Sequence, residues 1–480
     1  MIHLKRDRML CWDSYFIDQS TDISIEMNKP TPRELAIRCN EEWDGNCNGY
    51  GGIEQQEDGF YFRYRALEAS LTKTEQAGFC LMKSADGKHF EPVTIDRVPF
   101  HGSTHNNLFH NEKRRLDNFS VFIDNNPACL PHEKFKALSQ YVPLNDDGEL
   151  DHVKAELWLY TSPDGITFQF SRKLEVEGQF DSYNVLIWDE NIRKYHLYLR
   201  GYSRHPQEGK PKGVRVREIW HYLSEDLHTF EKCGPLDFGE NAPLHQLYTN
   251  QIIQYPRARS MFLGFPTRYK DRLKDEDSLH ALPAAEYRAR VIDKMGRAGH
   301  AFTDCVIMTS RDGQRFDRRE EAFLTPGIEA ACNWWYGDCY PAYGLIETTS
   351  DIEGAPNEYS FYMGENYRVK KVQFRRYTIR LDGFFCWRGS YRGAEVLSKP
   401  FTFEGEELEV NFASSALGGL DILLCDTEGT PLEGYAALDL FGDSVERKVH
   451  FEKDLALLNG KPLRMKIRLR DCALYSFKFN

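Results

Sequence analysis

The chain of 480 residues lacks several things, and each absence excludes a class of protein. No stretch approaches the ~18 consecutive apolar residues of a membrane-spanning helix. The opening run, Met1-Ile2-His3-Leu4-Lys5-Arg6-Asp7-Arg8, has no continuous apolar core of the kind an export signal carries. Basic residues are in deficit: 61 Lys and Arg face 73 Asp and Glu, a net charge of −12, which argues against nucleic acid or an anionic membrane as partner. The twelve cysteines are scattered, with no C-x-x-C and no Cys/His set at zinc spacing, so no metal site is expected and the thiols are expected to be reduced and mostly buried. Together these features predict a cytoplasmic protein.

What is present is aromatic and strand-like. Phe, Trp and Tyr make up 13% of the chain, a composition that suits sheet surfaces and stacking on sugar rings. One phrase recurs: Ser84-Ala85-Asp86-Gly87-Lys88-His89-Phe90, Ser162-Pro163-Asp164-Gly165-Ile166-Thr167-Phe168 and Ser310-Arg311-Asp312-Gly313-Gln314-Arg315-Phe316 share S-x-D-G-x-x-F. Ser224-Glu225-Asp226-Leu227-His228-Thr229-Phe230 is a looser copy. Asp-Gly supplies the left-handed residue of a tight turn, and self-similarity at about one small sheet per unit is the pattern of a β-propeller with loop insertions.

Five inner strands are predicted, beginning near Tyr50, Asn118, Asp181, Tyr248 and Tyr343. The expected fold is all-β: a five-bladed propeller over residues 1–384, then a C-terminal β-sandwich over 385–480. The run Cys11-Trp12-Asp13-Ser14-Tyr15-Phe16-Ile17 is expected to close the ring against the last blade. Within an insertion from Lys270 to Gly299, Pro283 at the front and Gly296 at the back predict a helix, a lid or an oligomer contact among its uses.

A propeller brings the leading ends of its inner strands to one cavity. That selects Asp44, Asp124 and Asp181 as candidate catalytic carboxylates, the set that cleavage of a glycosidic bond requires. Crowded carboxylates raise one another's pKa, which keeps one protonated as the acid. Asn184, Asn250, Arg200 and Arg268 are candidates to bind hydroxyls. Trp334, Trp335 and Tyr336, followed by Asp338, are candidates for a stacking wall beside the site.

The five-fold pattern, the stretch Asp124-Asn125-Asn126-Pro127 and the order of propeller then sandwich resemble the five-bladed glycoside hydrolases of families 32, 43 and 68. The phrases Phe180-Asp181-Ser182-Tyr183-Asn184 and Arg376-Tyr377-Thr378-Ile379-Arg380-Leu381-Asp382-Gly383-Phe384 are similar to those of uncharacterised bacterial proteins of the family 32-like glycosidase type. The resemblance implies that Asp44 stands where family 32 has its nucleophile and family 43 its general base. It implies that Asp124 contacts substrate hydroxyls, with Ile123 in place of the family's Arg. Asp181, with Glu177 in reserve, would take the place of the third-blade Glu. The resemblance thus implies a glycosidase that removes a terminal sugar, furanosides among the candidates, from short oligosaccharides without a cofactor. Alternatives are a phosphorylase, with Arg200 and Arg268 holding phosphate, and a carbohydrate-binding protein without catalysis. A homo-oligomer is compatible with all three.

Overall fold

The computed structural model describes residues 1–5, 7–111, 116–204, 215–272 and 276–480. The chain is nearly all-β, as its composition predicts. Five sheets of antiparallel strands follow one another. The first is built on Gly51–Gln56, Gly59–Ala69 and Thr74–Ser84, the second on Leu116–Ile123, Phe135–Tyr141, Glu156–Ser162 and Gln169–Leu174. The third runs Val185–Asp189, Lys194–Arg204, Arg215–Ser224 and Glu231–Pro235; the fourth runs Ile253–Gln254, Phe262–Gly264, Met308–Ser310 and Asp317–Arg318. The fifth takes Ile346–Thr348, Glu358–Glu365 and Gln373–Arg380 from late in the chain and its last strand, Thr31–Arg38, from near the start. Residues from the first strand of each sheet, among them Ile53, Ile123, Ile187, Ile253 and Ile346, line one shared cavity of about 190 Å³, so the five sheets surround a common axis.

The recurring phrase is the joint between neighbouring sheets. In each copy the Ser Oγ accepts from the backbone N–H three residues on (2.9 Å at Gly87, Gly165 and Gly313, 2.8 Å at Leu227). The Asp Oδ1 accepts two further backbone N–H groups, as Asp164 does from Ile166 and Thr167 at 2.9 and 2.7 Å. The fourth residue is left-handed, with φ of +72°, +71°, +61° and +75° at Gly87, Gly165, Leu227 and Gly313. The turn then docks on the sheet before it. Gly165 O accepts from Arg63 of the first sheet at 3.0 Å, Gly313 O from Tyr198 of the third at 2.7 Å, and Gly87 O from Tyr362 of the fifth. The phrase always joins a third strand to a fourth. The fifth sheet borrows its fourth strand from the N-terminal region, and that is why there are four copies and not five.

The strand that completes the fifth sheet is therefore Thr31–Arg38, not the Cys11–Ile17 run expected from sequence. Residues ahead of it pair instead with the C-terminal part of the chain: Met9–Leu10 with Arg464–Phe479, Ile17–Thr21 with Ala394–Ser398, and Ile23–Met27 with Phe385–Gly389. Apolar burial explains the choice, since Met9, Cys11 and Phe16 belong to the same core as Trp387, Phe401 and Phe477. A division at 384/385 thus cuts through a nine-stranded sheet, organised on the long bent strands Leu408–Cys425 and Arg464–Phe479, that draws three strands from the first 27 residues. Asp382 pins the two parts together. Fully buried, it accepts from Tyr255 Oη at 2.8 Å and Arg257 Nε at 3.2 Å on one oxygen, and from Ser476 Oγ at 2.7 Å on the other.

The Lys270–Gly299 insertion does carry a helix, Ala285–Met295, ended by the left-handed Gly296. Arg288, buried on this helix, lies 3.9 Å from the Trp335 ring and donates to Trp334 O at 2.9 Å.

Candidate active site

Period-two alternation along the second strand of the first sheet, Gly59–Ala69, decides what reaches the site. Phe62 and Tyr64 face the fifth sheet, where Phe62 packs on Phe374 and Tyr362. Arg63 and Arg65 face the second sheet. Arg65 is buried and forms an ion pair with Asp117, donates to Asn118 Oδ1 at 3.1 Å and, through its other arm, to Cys47 O at 3.1 Å. Asn118 Nδ2 reaches Asp181 Oδ1 at 3.5 Å. Asp181 lies on the loop leading into the third sheet, and Arg200 closes on it, Nη2 at 3.4 Å from Oδ2 with a further bond to the Asp181 carbonyl. Asp117 and Asp181 thus meet from the leading ends of adjacent inner strands, flanked by two arginines.

The two carboxylates differ in setting. The Asp181 side chain is 52% exposed and that of Asp117 31%. Burial pushes the Asp117 carboxyl above the ordinary range; Arg65 pulls it down and the charge of Asp181 pushes it up again.

Around them six tyrosines form a buried floor. Tyr50 stacks on Tyr340 (centroids 5.9 Å), Tyr340 on Tyr248 (5.7 Å), and Tyr336 meets Tyr248 and Tyr269 edge-on at 5.6 and 6.0 Å. Tyr367 completes the set, 5.8 Å from Tyr340. Arginines lie over these rings: Arg65 over Tyr50 at 5.2 Å, Arg200 over Tyr248 at 4.9 Å, Arg217 over Tyr269 at 4.8 Å, Arg297 over Tyr336 at 5.1 Å and Arg368 over Tyr367 at 5.6 Å.

Of the residues selected from sequence, Asp181, Arg200 and Tyr336 belong to this cluster. Asp44 does not share it. It is fully buried on the opposite face of the first sheet, accepting from Tyr64 Oη at 2.6 Å and Glu41 N at 2.8 Å, and burial raises its carboxyl to about 6. Asp124 lies at the trailing end of the strand that Asp117 begins, roughly 20 Å away at ~3.3 Å per residue. There it pairs with Lys136 Nζ at 2.7 Å and accepts from Tyr195 Oη at 2.9 Å beside the axial cavity. The three aspartates therefore do not converge.

The binding candidates divide in the same way. Asn184 Nδ2 braces Phe180 O and Ser182 O, and Asn250 Nδ2 braces Tyr183 O at 3.2 Å; both hold backbone. Arg268 faces away from Tyr269 by strand alternation and is forked onto Asp304 at 2.9 and 2.6 Å. Trp335 packs beneath the insertion helix, Trp334 donates to Gly327 O at 3.0 Å, and Asp338 accepts from Trp335 N at 2.8 Å with its carboxyl raised by burial to about 7. No stacking wall forms from the two tryptophans. Glu177 is exposed and paired with Lys232 at 2.7 Å.

Asp117 was missed because the second inner strand was expected to begin near Asn118, whereas it begins at Leu116. Among the described residues no group of three or more His, Cys, Asp and Glu is placed to hold a metal ion, and no helix is long and apolar enough to cross a membrane.

No family model and no curated protein matches the chain. Among solved structures it is similar to a glycoside hydrolase (11% identity, TM-score 0.45, 73% of this chain and 92% of the other). It is also similar to a Bombyx mori GH32 beta-fructofuranosidase (9%, 0.42, 94% and 95%) and to an N-acetylgalactosamine deacetylase from F. plautii (10%, 0.40, 90% and 98%). Likeness at this level assigns neither family nor activity.

Proposed function

We propose that the chain is a glycosidase built on a five-bladed propeller, the five sheets around the axial cavity being its blades and the C-terminal sheet folding as a sandwich against them. One observation carries this reading: Asp117, at the start of the second sheet's first strand, and Asp181, on the loop leading into the third sheet, meet through Asn118 above a floor of tyrosine rings.

In this reading Asp117 holds the proton. Its raised affinity lets it protonate the leaving oxygen of a glycosidic bond. Asp181, exposed and oriented by Arg200, acts at the anomeric carbon as nucleophile or as the base that activates water. Arg65 opposes the rise in Asp117, so the proton is held within reach of release.

The test is turnover of a panel of aryl glycosides and short oligosaccharides by the full chain and by Asp117→Asn and Asp181→Asn. Each substitution should lower turnover by roughly 10²–10⁴-fold while ligand binding persists. Activity equal to the unsubstituted protein in both variants would exclude the pair as the catalytic acids.

A further inference from the structure

The tyrosine floor carries five guanidinium groups and the site only two carboxylates. Arg65 and Arg200 are matched by Asp117 and Asp181. Arg217, Arg297 and Arg368 have no carboxylate within ion-pair distance among the described residues. Arg217 makes one side-chain hydrogen bond, Nη1 to Gln246 Oε1 at 2.6 Å, and its Nε is buried without a partner. The Nε of Arg368 is likewise buried without one. Arg297, exposed at the end of the insertion, reaches over Tyr336. The nearby Asp271 accepts from Tyr269 Oη at 2.6 Å, and Glu218 points to the other face of the strand from Arg217, where Ser203 donates to it.

Several other arginines are paired: Arg268 with Asp304, Arg375 with Glu365, Arg376 with Glu34 and Arg257 with Asp382. Arg288, more deeply buried, has no carboxylate within ion-pair distance among the described residues and rests on the Trp335 ring, so what sets this site apart is that three such arginines gather on one set of rings. In a protein of net charge −12, acids to neutralise three more were plentiful. Withdrawing a guanidinium from water is unfavourable unless something answers its charge. Tyrosine faces answer part of it. The remainder is a planar, five-donor fork suited to an oxygen anion.

We propose that Arg217, Arg297 and Arg368 bind an oxyanion, a carboxylate or phosphate group, beside Asp117 and Asp181. It has two possible sources: an acidic substituent of the sugar, such as the carboxylate of a uronic acid, or free phosphate that replaces water as attacking group. In the second case a phosphate oxygen forms the new bond to the anomeric carbon, the glycosidic C–O bond breaks, and the leaving oxygen takes its proton from Asp117. What is done to the ligand rests on the glycosidase reading; binding of the anion does not.

The experiment is titration calorimetry of the full chain with inorganic phosphate, galacturonate and glucuronate, and with the neutral sugars galactose and glucose as controls. It is repeated with Arg297→Gln, Arg217→Gln, Arg368→Gln and Asp117→Asn, with folding checked by circular dichroism. At least one anion should bind more tightly than its neutral control, more weakly as salt rises. Its affinity should fall about tenfold or more in each folded arginine variant and persist in Asp117→Asn. Arg297 is exposed, so its variant tests the idea even if a buried arginine variant fails to fold. Turnover that depends on added phosphate assigns the phosphate source; cleavage of uronides without phosphate assigns the sugar. Anion binding with no turnover of any glycoside would keep this proposal and remove the glycosidase reading. Equal binding of acidic and neutral sugars with no detectable phosphate binding, or anion affinity unchanged in Arg297→Gln, would overturn it.

Discussion

Replacing Asp44 by Asn separates a structural aspartate from a catalytic one. The carboxyl is fully buried and accepts two hydrogen bonds, and burial lifts its pKa from the usual 3.8 to about 6. A folded-state value above the unfolded one means that folding favours the protonated form. That contribution is complete below about pH 3.8 and is lost as pH rises toward 6. Two pKa units correspond to about 3 kcal/mol at 1.36 kcal/mol per unit. Asparagine carries no titrating proton, so Asp44→Asn should gain up to about 3 kcal/mol relative to the unsubstituted protein between pH 4 and 7. Urea unfolding of both proteins across that range reads the difference directly, since every other titration cancels. Turnover should persist in the folded variant, because Asp44 lies on the far face of the first sheet from Asp117. Parallel stability–pH curves would refute the burial argument, and loss of turnover by a hundredfold in a folded Asp44→Asn would return Asp44 to the site.

Three other substitutions test the geometry. Asp124→Asn removes the charge opposite buried Lys136 and should cost about 3 kcal/mol in denaturant unfolding, while kcat of the folded fraction is unchanged. Gly165→Ala would place a Cβ 2.7 Å from Arg63 Nη2 and 3.0 Å from the Phe135 ring at φ +71°, and thermal unfolding should show a loss of at least about 1 kcal/mol. Asp382→Ala removes the buried acceptor of Tyr255, Arg257 and Ser476 at the junction of ring and C-terminal sheet; it should cost about 3 kcal/mol and expose that junction to limited proteolysis.

Much of the β-architecture was legible because its signals are local. Turn chemistry at Ser162-Pro163-Asp164-Gly165 and Pro283 with Gly296 around the insertion helix are written within a few residues. The site was less so, because strand registers and faces decide it. The second inner strand starts at Leu116 and not near Asn118, so Asp117 was passed over, while Asp124, chosen from Asp124-Asn125-Asn126-Pro127, follows that strand's other end. Asp44 precedes its inner strand by several residues, yet the loop folds its carboxyl onto Tyr64, a face no local pattern announces. The pairing of residues 9–27 with strands beyond 385 is a long-range contact that no turn signal marks. The tyrosine floor draws rings from five stretches between residues 50 and 367, and of these only Tyr336 was singled out as a binding residue from sequence.

The most direct test of the account is the titration of Asp117, followed by NMR of a protein carrying carboxyl-labelled aspartate, with and without Asp181→Asn. If the two carboxylates form an interacting pair, Asp117 titrates above the ordinary aspartate value and moves down when Asp181 is neutralised. An Asp117 signal that titrates at the same pH in both proteins would show that the acids do not sense each other, and would contradict the proposed chemistry.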